Sequence, residues 1–156
     1  MAADVSAVRS WRIAAARRCG EAHARRGQRC QDAFAHAVCG PDSETLLIAI
    51  ADGAGSAARG GAGAALAVRA AVAAGRLAMI RGGALSEDLV RSWVETARSQ
   101  VLGAASASGF AARDCATTLI VAASDGRTAV ASHIGDGAVA VRDARGWSAL
   151  SWPDIG

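Results

Sequence analysis

The chain has 156 residues, 52% of them hydrophobic and 20% charged, and its formal charge of +3 rests on arginine alone, since it contains no lysine. That length suits one domain or a piece of a larger one, and the apolar content is ample for a core, which excludes disorder beyond residues 1–10. No stretch reaches the roughly 18 uninterrupted apolar residues of a membrane span, and no apolar signal core follows a basic region at the N-terminus, so the expectation is a cytoplasmic protein without a membrane partner.

Residues 1–10 are read as a flexible N-terminus and 11–156 as one domain. Cys19, Cys30, Cys39 and Cys115 form no CxxC pair, and a chain of this size needs no staples, so reduced thiols are expected.

In chain order, residues 11–18 read as a strand leading into a polar, basic segment, 20–34, interrupted by Gly27. Residues 33–38 alternate and 45–51 form an apolar run, with Gly40, Pro41 and Asp42 as a turn signal between them; the two runs suit an antiparallel hairpin. In that pairing Asp32 begins one strand and Asp52 finishes its neighbour, so both carboxylates lie at one end of the sheet.

Residues 62–80, rich in alanine, predict a helix that packs closely on a sheet. Gly82 and Gly83 break it. Ser86 then offers a cap and Glu87 and Asp88 place acids at the start of a second helix, whose apolar residues run from Leu89 to Leu102 at helical spacing. Two antiparallel helices on one face of a sheet are expected. From Asp114 onward the texture is that of strands, 115–124, 127–135, 137–146 and 147–151, joined by short glycine-containing turns in a meander. Strands, two helices and strands again argue for an α+β domain.

The chemistry concentrates at residues 45–63, TLLIAIADGAGSAARGGAG. A buried strand ends there on one carboxylate, Asp52, and Gly53 and Gly55 let the backbone approach whatever that carboxylate holds. This is how metal and phosphate sites are built. Asp136, in IGDG, adds a third acid.

With these acids in hand, the sequence resembles the metal-dependent type 2C serine/threonine protein phosphatases, in a bacterial branch. The matching segments are HARRGQRCQDAF (23–34), IADGAG (50–55), DCATTL (114–119) and IGDG (134–137). The resemblance implies an αββα sandwich of two antiparallel sheets flanked by helix pairs. It also implies two Mg²⁺ or Mn²⁺ ions, with a third, weaker position, holding a water that attacks the phosphorus of phosphoserine or phosphothreonine. Such hard cations take carboxylate, carbonyl and water oxygens, and two of them neutralise phosphoryl oxygens during displacement.

By position, Asp52 matches the bridging carboxylate, Gly53 a main-chain carbonyl ligand, Asp32 an acid that reaches one metal largely through water, and Asp136 an acid at the weaker position. Asp32 and Asp52 are therefore the candidate catalytic residues. Thr117 and Thr118 match a structural strand pair beside the site. The expected partners are a phosphorylated protein substrate and a serine/threonine kinase, with no nucleic acid.

Three departures accompany the resemblance. Ala54 stands where some relatives carry a histidine general acid. The phosphate-contacting arginine of better-known relatives falls on Gly27; Arg25, Arg26 and Arg29 are the substitutes, and spacing does not choose among them. The family's later metal-binding aspartates belong to its second half, so the chain is expected to be a truncated domain, weak or inactive alone; the alternative is a non-catalytic phosphoprotein-binding or regulatory remnant.

Other readings compete at single motifs. Asp52, Asp136 and Asp125 each suit a plain turn. Gly53, Gly55 and Ala58 fit a dinucleotide fingerprint, opposed by the lack of acids between Ser56 and Ser86 and by Asp52 itself. His23, Cys30, His36 and Cys39 match no compact zinc knuckle. Arg17, Arg18, Arg25, Arg26 and Arg29 form a basic cluster without interleaved aromatics, which suits a solvated or phosphopeptide-facing rim better than a nucleic-acid surface.

Overall fold

The structure is a computed structural model that describes residues 11–25, 27, 29–40 and 44–153. The expected flexible N-terminus, Arg26, Pro41 and Asp42 of the turn, and Asp154 lie outside the described residues. The chain forms α1 (Glu21–Arg25), β1 (Asp32–Cys39), β2 (Thr45–Asp52), α2 (Gly60–Ile80), α3 (Glu87–Ala107), a 3-10 turn (Ala112–Cys115), β3 (Leu119–Ser124), β4 (Ala129–Ile134), β5 (Val139–Asp143) and β6 (Gly146–Ser151). It is an α+β structure with one sheet in the order β1-β2-β3-β4 and a second, two-stranded sheet, β5-β6, all neighbours antiparallel.

The alternation of β2 decides its two faces: Leu47, Ala49 and Ala51 point inward, as do Leu119, Val121 and Ala123 of β3, because successive strand side chains leave opposite sides. Against this inner face α2 lies over β1 and β2, and α3 reaches β3 and β4. The buried stripe of α2 is almost all small residues, Gly60, Gly63, Ala64, Ala67, Ala71 and Gly75 among them, so the helix axis comes close to the sheet. α3 contributes bulk instead, with Val90, Trp93, Val94 and Val101 buried. Its start is fixed by Ser86, whose Oγ accepts from Leu89 N at 3.2 Å, satisfying one of the free N–H groups of a helix end. By length and composition α2 could cross a membrane; here its apolar stripe is the one covered by the sheet and α3, and Arg69 and Arg76 lie on its exposed side.

Two expectations are corrected. Residues 11–18 form no strand. Strand geometry exists only through a ladder partner, and the segment is held instead by side chains, Trp11 Nε1 donating to Glu44 O at 2.7 Å and Arg17 Nη1 to Asp32 O at 2.8 Å. The four C-terminal runs are not one meander either: β3 and β4 extend the main sheet, while β5 and β6 pair only with each other. The chain leaves the main sheet at Gly135, whose φ of 103° turns it out of the ladder in a region open to glycine. The hairpin β5-β6 touches β4 through a hydrogen bond between Ser151 Oγ and His133 Nδ1. His133 pairs in register with Ile120, and Ile120 with Ile50, so this contact lies on the side of the sheet away from the helices. On that outer side Phe34, Val38 and Ile50 are exposed. A short helix that the sequence does not suggest, α1, is closed by an ion pair from Arg25 to Glu21 at 3.1 Å.

Candidate active site

All four strands of the main sheet begin or end at one rim: Asp32 starts β1, Asp52 ends β2, Leu119 starts β3 and Ile134 ends β4. The expected hairpin is present, with Asp32 and Asp52 as direct register partners. Both acids continue the outer-face row of Phe34 and Ile50, which are also partners, so the two carboxyl groups leave the same side of the sheet. Asp136 follows β4 at the same rim and is exposed. β3 lies between its strand and that of Asp52, and the chain has already turned out of the ladder at Gly135. The rim thus brings Asp32 and Asp52 together and leaves Asp136 to one side.

The main chain of Asp52 is fixed from β3. Its N–H donates to Thr118 Oγ1 at 2.9 Å, and its carbonyl accepts from Thr118 N at 2.9 Å and from Thr117 Oγ1 at 2.8 Å. The threonines expected to be a structural pair therefore clamp the acid directly. Gly53 forms an isolated antiparallel bridge with Thr117, and its N–H donates to Gln31 O at 3.2 Å. A Cβ on Gly53 would sit 2.3 Å from Gly60 C and 2.7 Å from Gly61 N. Only glycine lets the strand end meet the start of α2. Asp114, from the DCATTL segment, acts locally, with its Oδ2 accepting from Ala111 N at 3.1 Å and its carbonyl from Arg59 N at 2.7 Å.

Around Asp32, Cys30 Sγ donates to Oδ2 at 3.4 Å, and Gln31 Oε1 is buried with no hydrogen-bond partner among the described residues. A groove of about 480 Å³ opens here, bordered by Arg17, Arg29, Gln31, Asp32 and the first residues of α2. A second hollow of about 510 Å³ runs from Asp32 and Asp52 along the apolar outer face, between it and residues 13–18. Of the expected phosphate cations, Arg29 lines the first groove, Arg25 is paired with Glu21, and Arg26 is outside the described residues. Arg17 borders both hollows; the sequence places it in the basic rim but not among the three substitutes for the phosphate contact, and fifteen residues from Asp32 it has no local periodicity to single it out.

None of the four cysteines is in a disulfide. Burial pushes the Cys39 thiol up, against a smaller opposing effect of Arg76, and Cys39 pairs with Thr45 at the far end of the hairpin from the acids. It is a packing residue.

Two carboxylates and a neighbouring main-chain carbonyl are the oxygen donors a hard divalent cation takes. Among the described residues no three His, Cys, Asp or Glu side chains converge to cage a metal. In kind, the residues present fit such an ion.

The family model described as "Protein phosphatase 2C" matches residues 19–156. The chain is 35% identical over 136 residues to "Serine/threonine-protein phosphatase 3" of Escherichia coli (strain K12), a match covering 85% of this chain and 53% of the relative. The chain thus spans about half the length of that curated relative. No solved structure matches.

Proposed function

We propose, from the premise that this chain belongs to the protein phosphatase 2C family, that it carries the acid rim of a metal-dependent phosphatase acting on phosphoserine and phosphothreonine in proteins. The observation that carries the reading is the register pairing of Asp32 with Asp52. Two like charges placed directly opposite cost stability unless something positive lies between them, and the Thr117 and Thr118 clamp holds Asp52 in that arrangement.

In this reading Asp52 and Asp32, with the Gly53 carbonyl, hold Mg²⁺ or Mn²⁺, and Asp136 serves a weaker outlying position. When bound, the ions would supply an activated water and neutralise the phosphoryl oxygens. The chain's own residues fix where that chemistry occurs. The threonine clamp sets the height of the Asp52 carboxylate, Gly53 lets the α2 start close behind it, and the arginine-lined groove faces an anion. Ala54 offers no proton to the leaving group, so leaving-group protonation needs another source. With so sparse a shell the 156-residue chain is expected to turn over slowly. The finer architecture proposed is the αββα sandwich, with β5-β6 belonging to its second sheet, and the place of work is the cytoplasm.

Mn²⁺ titration by calorimetry tests the assignment together with hydrolysis of a phosphothreonine peptide. The wild-type chain should bind Mn²⁺, Asp52→Asn should not, and any hydrolysis should disappear with the variant. A wild-type chain that takes up no Mn²⁺ ends the reading.

A further inference from the structure

Arg25, Arg29 and Arg17 differ in what already holds them. Arg25 is ion-paired with Glu21 at 3.1 Å. Arg29 lines one groove only. Arg17 borders the groove of about 480 Å³ beside the start of α2 and also the hollow that contains Asp32 and Asp52.

Its guanidinium is anchored by one bond, Nη1 to Asp32 O at 2.8 Å, and a guanidinium carries five N–H donors in a planar fork. Among the described residues no carboxylate forms an ion pair with it. A cation tethered to the main chain of a rim acid, with most of its donors unspent and open space on two sides, is arranged to take an anion at that acid. The first turn of α2, which borders the same groove, carries no acidic side chain to oppose one. Residues 11–18 have no ladder of their own, and the Arg17 bond is one of the side-chain ties that hold them to the sheet.

We infer that Arg17 is the residue that receives the phosphoryl dianion of the substrate, a role for which the family pattern offers only Gly27 in this chain, with Arg29 as a second cation on the groove. The inference rests on the phosphatase reading for the identity of the anion. Arginine suits this role because its fork meets two phosphoryl oxygens at once, which a lysine cannot do.

The test uses the full chain, with inorganic phosphate as the probe and Mn²⁺ titrated separately. Arg17→Ala should weaken phosphate binding about tenfold to a hundredfold and flatten its dependence on salt between about 50 and 200 mM. Mn²⁺ affinity should stay as in the wild type, with at most a small drop in melting temperature from loss of the Arg17 tie to Asp32 O. Arg17→Lys should recover part of the affinity, and Arg142→Ala on β5 should change nothing. Unchanged phosphate binding in Arg17→Ala overturns the inference, as does a wild type that binds no phosphate, or a parallel loss of phosphate, Mn²⁺ and stability that marks a structural strut. Because Mn²⁺ binding is read independently, loss of the arginine assignment leaves the acid rim standing, and a wild type without Mn²⁺ removes the phosphatase reading itself.

Discussion

Asp32 and Asp52 stand directly opposite each other across the β1-β2 ladder. Like charges in that relation destabilise an antiparallel pair, by about 0.2–1 kcal/mol. Asp52→Asn is expected to abolish the stabilisation that Mn²⁺ binding should give the wild type, since a ligand that binds only the folded state stabilises by mass action. Thermal melts with EDTA and with Mn²⁺ measure it. An Mn²⁺-dependent rise in melting temperature that survives in the variant would show that Asp52 holds no cation.

Thr118 reaches Asp52 twice, through its N–H and its hydroxyl, and Thr117 adds a bond to the same carbonyl. Groups that orient a metal ligand matter nearly as much as the ligand, and their loss typically lowers affinity about tenfold to a hundredfold. Thr118→Val keeps the shape and the ladder bond while removing the hydroxyl. Calorimetric Mn²⁺ affinity should fall within that range while the far-ultraviolet circular dichroism is preserved. Equal Mn²⁺ affinity in the variant would show that the clamp serves the sheet alone.

Much of this rim is legible in the sequence, for local reasons. The alternating run 33–38, the apolar run 45–51 and the turn signal between them suit the β1-β2 hairpin, which already puts Asp32 and Asp52 at one end of the sheet; their direct register is given by the folded chain. The α2 and α3 helices are legible from their composition, and Ser86 is the cap its type and position suggest. What is not legible depends on partners. Residues 11–18 have strand-like texture and no ladder. The α1 turn carries a main-chain bond from Ala24 N to Gly20 O and an exposed Glu21 to Arg25 pair, with no periodic apolar stripe to announce it. IGDG reads as an ordinary hairpin turn, yet Gly135 packs so close to Thr118, where a Cβ would lie 2.6 Å from Cγ2, that the chain exits the sheet there. Arg17 lies fifteen residues from the acid it touches, and only the folded chain joins them.

Gly53 is expected to be intolerant for a reason separate from chemistry. A Cβ there would fall 2.3–2.7 Å from main-chain atoms of Gly60 and Gly61, and backbone cannot move aside as a flexible side chain can. Gly53→Ala should cost about 1–3 kcal/mol, read as a lower urea midpoint, and should displace the α2 start from the rim. Stability equal to the wild type would mean that the strand end and the helix are not in contact.

Asp125 makes the turn between β3 and β4 depend on pH. Its Oδ1 accepts from Thr128 N at 2.7 Å and Arg127 N at 2.8 Å, and these main-chain donors, that of Thr128 foremost, hold its carboxyl below the usual aspartate range. A group whose folded pKa lies below its unfolded value, about 3.9 for aspartate, contributes stability that is fully present above that value and is lost as pH falls through the folded pKa. Asp125→Ala should therefore cost about 0.5–1 kcal/mol at neutral pH, the low end for such bonds because the residue is open to water. The deficit should shrink once the pH drops below about 4. Urea unfolding of both proteins across that interval measures it. A deficit that stays constant into strong acid would show that the turn is held by Ser124 Oγ, which accepts from Gly126 N at 3.0 Å and donates to Thr128 O at 2.8 Å, because a hydroxyl does not titrate there and a carboxylate does.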